Sequence, residues 1–401
     1  MKKLLFLLIA ISLFACSKQA KHTEKIDRFA LVNRHNVQVN AFDSLSSLSV
    51  GNGAFAFTVD ATGLQTFPEK YENGVPLGTM SEWGWHSFPN TENYRLDETY
   101  EYYKVEGREI PYAIQWNEPG RKQDAANYFR MNPHRLQLAS FGFELLNADK
   151  SKARLNEIQN INQNLNLWEG KIESTFEVEN EKIEVSTCAH PKKDLVSVEI
   201  SSPRIEKGLL GLKLRFPYPT GNWGDDASDW KNASLHHSEI IGNTGHSAIF
   251  KHKIDTTIYY AELKWSGKAK LEETAPHIFM LQPDAGASNF SCSLEFRSKN
   301  DFAGSRELEQ TKQLSANAWE AFWQSGGAVD FSGTADPRAF ELERRVVLSQ
   351  YLTRIQCAGN LPPQETGLTY NSWYGKPHLE MHWWHGVHFA YWNRTELLEK
   401  V

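Results

Sequence analysis

KIEVSTCAHPKKDLVSVEISS, residues 182–202, holds two runs in which apolar and polar residues alternate, parted by Pro191-Lys192-Lys193-Asp194. Alternation with a period of two sends successive side chains to opposite faces of an extended strand. The pattern recurs downstream in GLLGLKLRF, AIFKHKI, TIYYAELKW and FSCSLEFRS, each bounded by Gly, Pro, Asn or Asp. Short strands repeated in this way predict a large antiparallel β-sandwich over residues 29–300. The stretch 81–135 is less regular, with SEWGWHSFPN and IQWNEPGRKQDAANYFRMNP, and is expected to form long loops over the sandwich.

At Ser305 the period changes. SRELEQTKQLSANAWEAFWQ reads as a helix stopped by Gly326-Gly327, so residues 301–335 form a helical linker. Asp336-Pro337 then supplies an N-cap and a proline suited to a first helical turn. The helix it opens carries Phe340, Val347, Tyr351 and Ile355 at helical spacing, and Gly359, Pro362 and Pro363 end it. A last helix is expected from Glu380, with Trp383, Trp384, Val387, Tyr391 and Leu398 on one side. Residues 336–401 thus read as the start of a helical domain that cannot close a core alone, and the chain as the N-terminal part of a longer protein.

The chain opens with Lys2 and Lys3 followed by the apolar run Leu4–Phe14, a secretion signal too short for a mature membrane span. Leu13-Phe14-Ala15-Cys16 resembles a bacterial lipobox. Residues 1–16 are then a lipoprotein signal, Cys16 the lipidated first residue, and polar residues 17–28 a tether. The short tether lacks an acidic export run, so the expected location is the outer membrane, facing the periplasm. A net charge of −6 argues against a nucleic-acid partner. Cys188, Cys292 and Cys357 are far apart and odd in number, so buried or free thiols are expected.

From Pro362 to Arg394 the sequence is PPQETGLTYNSWYGKPHLEMHWWHGVHFAYWNR. Flat indoles stack on the C–H face of a sugar ring, and His, Lys, Asn and Glu bond its hydroxyls. The saccharide-binding candidates are Trp373, Tyr374, Lys376, His378, Glu380, His382, Trp383, Trp384 and His385. Core packing of a large helical domain is the bland alternative, but a core would have to satisfy every imidazole and the lysine. His378, Glu380, His382 and His385 also fit metal spacing, a weaker reading beside so many tryptophans. No cofactor is called for. Asn222-Trp223-Gly224-Asp225-Asp226-Ala227-Ser228-Asp229-Trp230 lacks a complete calcium-loop pattern and reads as a long sandwich loop reaching over the helical domain, or as a solvated turn.

Two stretches carry a family resemblance. SLSSLSVGNGAFAFTVDATGLQTF, residues 44–67, resembles the opening strands of glycoside hydrolase family 65, with the glycine turn at Val50-Gly51-Asn52-Gly53. Gly375–Trp384 resembles a segment at the mouth of the (α/α)6 barrel in six-hairpin glycosidases. Trp383 falls on that family's tryptophan, whereas Trp384 replaces its sugar-gripping aspartate; His382, His385 or Glu380 would then take over the hydroxyls. The resemblance implies a sandwich, a linker helix and the first helices of an incomplete (α/α)6 barrel. It implies an inverting glycoside hydrolase acting on oligosaccharide or polysaccharide, with the general acid beyond residue 401.

Inversion needs two carboxyls roughly 6.5–9.5 Å apart. Glu365 and Glu380 are the acidic residues of the aromatic segment before Trp392, and each fits a positioning role better than that of general acid. An exported enzyme would strand a sugar phosphate, which favours hydrolysis over phosphorolysis. A polysaccharide lyase and a non-catalytic glycan-binding lipoprotein are the alternatives.

Overall fold

The computed structural model describes residues 25–302 and 310–400. The signal, Cys16, most of the tether and the expected helix start at Ser305 lie outside them.

The described chain is mostly β-sheet. One antiparallel sheet has nine strands, in spatial order Val37–Val39, Ile158–Asn166, Lys171–Val178, Glu181–Ala189, Leu195–Ser201, Asn289–Arg297, Thr257–Trp265, Ser247–Ile254 and His236–Asn243. A second holds four, Ala269–Ala275, Ile278–Pro283, Leu210–Arg215 and Ser140–Leu145. The alternation seen in sequence is what lets them pack. Ile183, Val185 and Thr187 are buried while Lys182, Glu184 and Ser186 are not. Across the gap between the sheets, Phe143 meets Phe176 at 6.2 Å and Phe250 meets Phe279 at 4.8 Å. Both pairs belong to one continuous apolar core, the main source of stability in such a sandwich.

Residues 81–135 hold more order than loops. They contain an exposed hairpin, Tyr100–Val105 with Arg108–Ala113, and a helix, Arg121–Met131. The glycine turn at residues 51–53 joins strands Leu48–Gly51 and Phe55–Val59. There the Asn52 carboxamide oxygen accepts from the amides of Ala54 and Phe55, and its NH2 donates to the His190 and Lys193 carbonyls.

Two helices tie this turn to the sandwich. Thr311–Gln324 lies over the 166–171 strand connection, with Trp323 Nε1 donating to the Leu167 carbonyl at 2.7 Å. Ala339–Cys357 stacks Tyr351 on Trp319 at 4.5 Å and 22°, and the Tyr351 hydroxyl donates to the Ser49 carbonyl. Val347, Tyr351 and Ile355 are buried as their spacing predicts. Phe340 is not: it is 59% exposed, while Glu343 is buried, its carboxylate accepting from Arg34, His35 and the Phe331 amide.

The expected last helix is broken. An α-turn at Leu379–Met381 passes into a π-turn at His382–Gly386, then α again at Val387–Tyr391. Asn393, at φ 56°, ends it before Thr395–Leu398. The wider π-turn rotates the side chains that follow. Met381, Phe389 and Leu397 are buried, whereas Trp383, Trp384 and Tyr391 are exposed.

Candidate functional site

The aromatic segment is held from beneath by the sandwich. Asn371 and the loop residue Asp225 exchange both backbone hydrogen bonds, at 2.8 and 3.1 Å, and the Tyr374 amide donates to the Trp223 carbonyl at 3.0 Å. Three successive residues, Trp373, Tyr374 and Gly375, then adopt left-handed backbone at φ 51°, 63° and 68°. Side-chain-bearing residues in that region cost about 1–3 kcal/mol each, so the surroundings must over-determine them. They do. Arg135, fully buried, donates from Nε to the Gly375 carbonyl and from Nη1 to the Ser81 carbonyl, and Asn371 Nδ2 donates to the Arg135 carbonyl.

This backbone turns Trp373 against Trp223, with ring centres 5.3 Å apart at 66°. The Arg130 guanidinium sits 5.2 Å from the Trp373 ring centre, and the His378 ring lies 6.0 Å from it. The two indoles stay 38% and 48% exposed, so the patch presents apolar ring surface to solvent beside a cation and an imidazole. Burial holds the Arg135 guanidinium down, to about 9.

Not every candidate joins the patch. Lys376 donates to the Arg130 and Asn132 carbonyls at 2.7 and 3.2 Å, neutralising the C-terminal end of the helix Arg121–Met131. Burial, then the Arg130 charge, lowers its pKa. Its ammonium is therefore engaged at that helix end. Glu380 is exposed and accepts from Trp384 Nε1 at 3.0 Å. Glu365 is exposed, with Ser372 Oγ 3.4 Å from its carboxylate. His385 Nε2 donates to the Glu365 carbonyl. Trp384 and His385 line a separate cleft of about 420 Å³ with His388, Trp392 and the face of the helix Ala339–Cys357 that carries Arg345 and Thr353. His382 is half-buried in the π-turn, and Trp383 is 62% exposed. The candidates thus divide between an indole patch and a cleft. Among the described residues, no three His, Cys, Asp or Glu side chains converge as metal ligands, so the His378–His385 spacing does not become a ligand set.

Sequence reasoning left Trp223 between two readings and missed Arg130, Arg135 and Asn371. The Asn-Trp-Gly-Asp-Asp run was the signal for Trp223. Nothing local marks the arginines, whose partners in the aromatic segment lie some 240 residues away along the chain. The three cysteines are buried and free, as expected, and burial pushes the Cys188 and Cys357 thiols up to about 12.

No protein-family model matches the chain, and no curated protein matches it. Solved structures do show likeness. A protein described as a kojibiose phosphorylase from the human microbiome is similar over 79% of this chain and 38% of that one, with 12% identity and a TM-score of 0.39. The Family GH92 inverting mannosidase of Bacteroides thetaiotaomicron is similar over 83% and 40%, with 9% identity and a TM-score of 0.38. A bacterial glucoamylase complexed with acarbose is similar over 90% and 50%, with 10% identity and a TM-score of 0.39. The chain spans between 38% and 50% of the length of these structures.

Proposed function

We propose that this chain supplies the sandwich and the first barrel helices of an inverting glycoside hydrolase acting on oligosaccharides or polysaccharides. The observation that carries the reading is the Trp223–Trp373 pair. Two exposed indoles from segments far apart in sequence are held edge to face by strained backbone beside Arg130 and His378. A rigid platform of that kind suits the C–H face of a sugar, with polar groups at its rim for the hydroxyls. The Trp384–His385 cleft is a second, separate candidate surface for sugar contacts. In this reading the general acid lies beyond residue 401, and Glu365 and Glu380 position neighbouring groups. Cys16 carries a lipid that holds the protein to the outer membrane on its periplasmic side.

Incubation of the full-length protein with an oligosaccharide panel tests the proposal, with NMR of the first product formed. Release of a sugar of inverted anomeric configuration is expected. Products with an ultraviolet-absorbing double bond would mean a lyase, and phosphate-dependent sugar phosphate a phosphorylase. A second reading, glycan binding without turnover, draws support from the engagement of both candidate carboxylates, Glu380 with Trp384 and Glu365 with Ser372. Tight binding with no product from the full-length protein would select it.

A further inference from the structure

The loop that brings Trp223 to the patch leaves the sandwich at Pro217 and returns at Ala233. Each stem is held by a histidine. His252 Nε2 lies 3.3 Å from the Pro217 carbonyl, and His277 Nε2 lies 2.8 Å from the Ala233 carbonyl. A carbonyl oxygen only accepts, so both rings must carry a proton on Nε2. Their other nitrogens converge on one hydroxyl: Ser238 Oγ is 2.7 Å from His252 Nδ1 and 3.0 Å from His277 Nδ1. A hydroxyl has a single hydrogen. If both rings are neutral, each Nδ1 is a bare lone pair, and Ser238 can donate to only one of them. The other contact is then lone pair against lone pair. With one added proton every role is filled. His277 becomes doubly protonated and donates to Ser238 Oγ, Ser238 donates to His252 Nδ1, and both Nε2 protons hold their carbonyls.

We propose that a single proton shared through His277, Ser238 and His252 latches both stems of the 217–233 loop, and so sets whether Trp223 stands in the candidate glycan site. The last step rests on the saccharide reading; the latch does not.

Of the two rings, His252 is the poorer place for the added proton. His252 is fully buried, stacked on Phe216 at 5.0 Å with the Tyr259 ring at 5.1 Å, and burial keeps it neutral. His277 is stacked face to face on His236 at 3.7 Å, and the Asp229 carboxylate of the loop acts on His236. His237 is the other imidazole felt by His252, and Tyr218 joins the stem to Asp255 through its hydroxyl at 3.1 Å. Removing the proton forces one ring either to keep a repulsive contact or to move its hydrogen to Nδ1, which frees a loop carbonyl. Adding a second proton leaves Ser238's own hydrogen without an acceptor and sets two cations with ring centres 6.3 Å apart. The latch therefore closes in one protonation state and loosens on either side of it.

The test is a pH series on the full chain, combining ¹⁵N-histidine NMR with hydrogen exchange of the 217–233 amides corrected for intrinsic rate. His277→Gln and His252→Gln assign the signals. The expected result is an imidazolium pattern for His277 and a neutral Nε2–H pattern for His252 where loop exchange is slowest, with faster exchange at higher and lower pH. Ser238→Ala should speed loop exchange about tenfold and abolish the maximum, while strand Ser247–Ile254 keeps its protection as a control for folding. Two neutral rings throughout the protected range, or a pH maximum unchanged in Ser238→Ala, would overturn the latch. Glycan affinity that follows loop protection joins latch and site. Protection that follows protonation in a protein with no glycan affinity upholds the latch and removes the saccharide reading.

Discussion

Gly375 shows how one position fixes the indole patch. A Cβ there would stand 2.4 Å from Asn371 Oδ1 and 2.7 Å from Arg135 Cβ, at a φ of 68° that side chains rarely adopt. Gly375→Ala is expected to cost about 1–3 kcal/mol, read as a lower urea midpoint, and to weaken glycan binding by displacing Trp373. Trp373→Ala separates the two effects. Its ring is partly exposed, so stability should hold while glycan affinity falls about tenfold, or ~1.4 kcal/mol, by titration calorimetry. Lys376→Met should do the reverse. It uncaps the helix Arg121–Met131 and costs about 1 kcal/mol of stability, with a smaller effect on affinity than Trp373→Ala. The crowd of indoles and imidazoles was legible in the sequence, and so was the possibility that the Trp223 loop reached it. The left-handed turn was not, because a residue's backbone conformation here is imposed by Arg135 from another domain-length stretch of chain. The bonding of Lys376 was not legible for a related reason. A lysine beside tryptophans looks like a ligand group until the helix end beneath it is known.

Helices were read well where burial follows a 3.6-residue period and poorly where the period breaks. Ala339–Cys357 buries Val347, Tyr351 and Ile355 as the spacing predicts. The segment 379–398 has a helical composition, but its π-turn shifts the phase, and a pattern of apolar spacings cannot reveal that shift. The helix Thr311–Gln324 is seated by a close fit at Gly170, where a Cβ would lie 1.8 Å from Trp319 Nε1. Gly170→Ala should therefore push this helix off the sheet and lower the melting temperature more than Tyr351→Phe. The latter loses only the bond to the Ser49 carbonyl, worth about 1 kcal/mol. Thermal melts of the two variants side by side would check the order.

Across the whole molecule the sandwich was the most legible feature, since each strand announces itself locally and two facing sheets are the usual way to bury so many half-apolar strands. The buried polar groups were not legible, and they set the response to pH. Burial pushes His134 down to about 3 and His236 down to about 4, below the 6.5 of a free imidazole. Between those values the unfolded chain binds more protons than the folded one. Their contribution to stability is therefore complete above pH 6.5 and is lost as pH falls. Asp194, pushed up to about 6 by burial, acts in the opposite sense and favours the folded state most at low pH. His134→Phe, in a pocket that already holds Phe88 at 4.7 Å, should flatten the acid loss, seen by comparing urea midpoints near pH 7 and near pH 5. The paired backbone bonds between Asp225 and Asn371 have a consequence of their own. The two halves of the indole platform are synthesised well over a hundred residues apart, and the Trp223–Trp373 contact needs both. Affinity for a ligand that needs both rings would appear only after the later segment has docked, and so would report that docking.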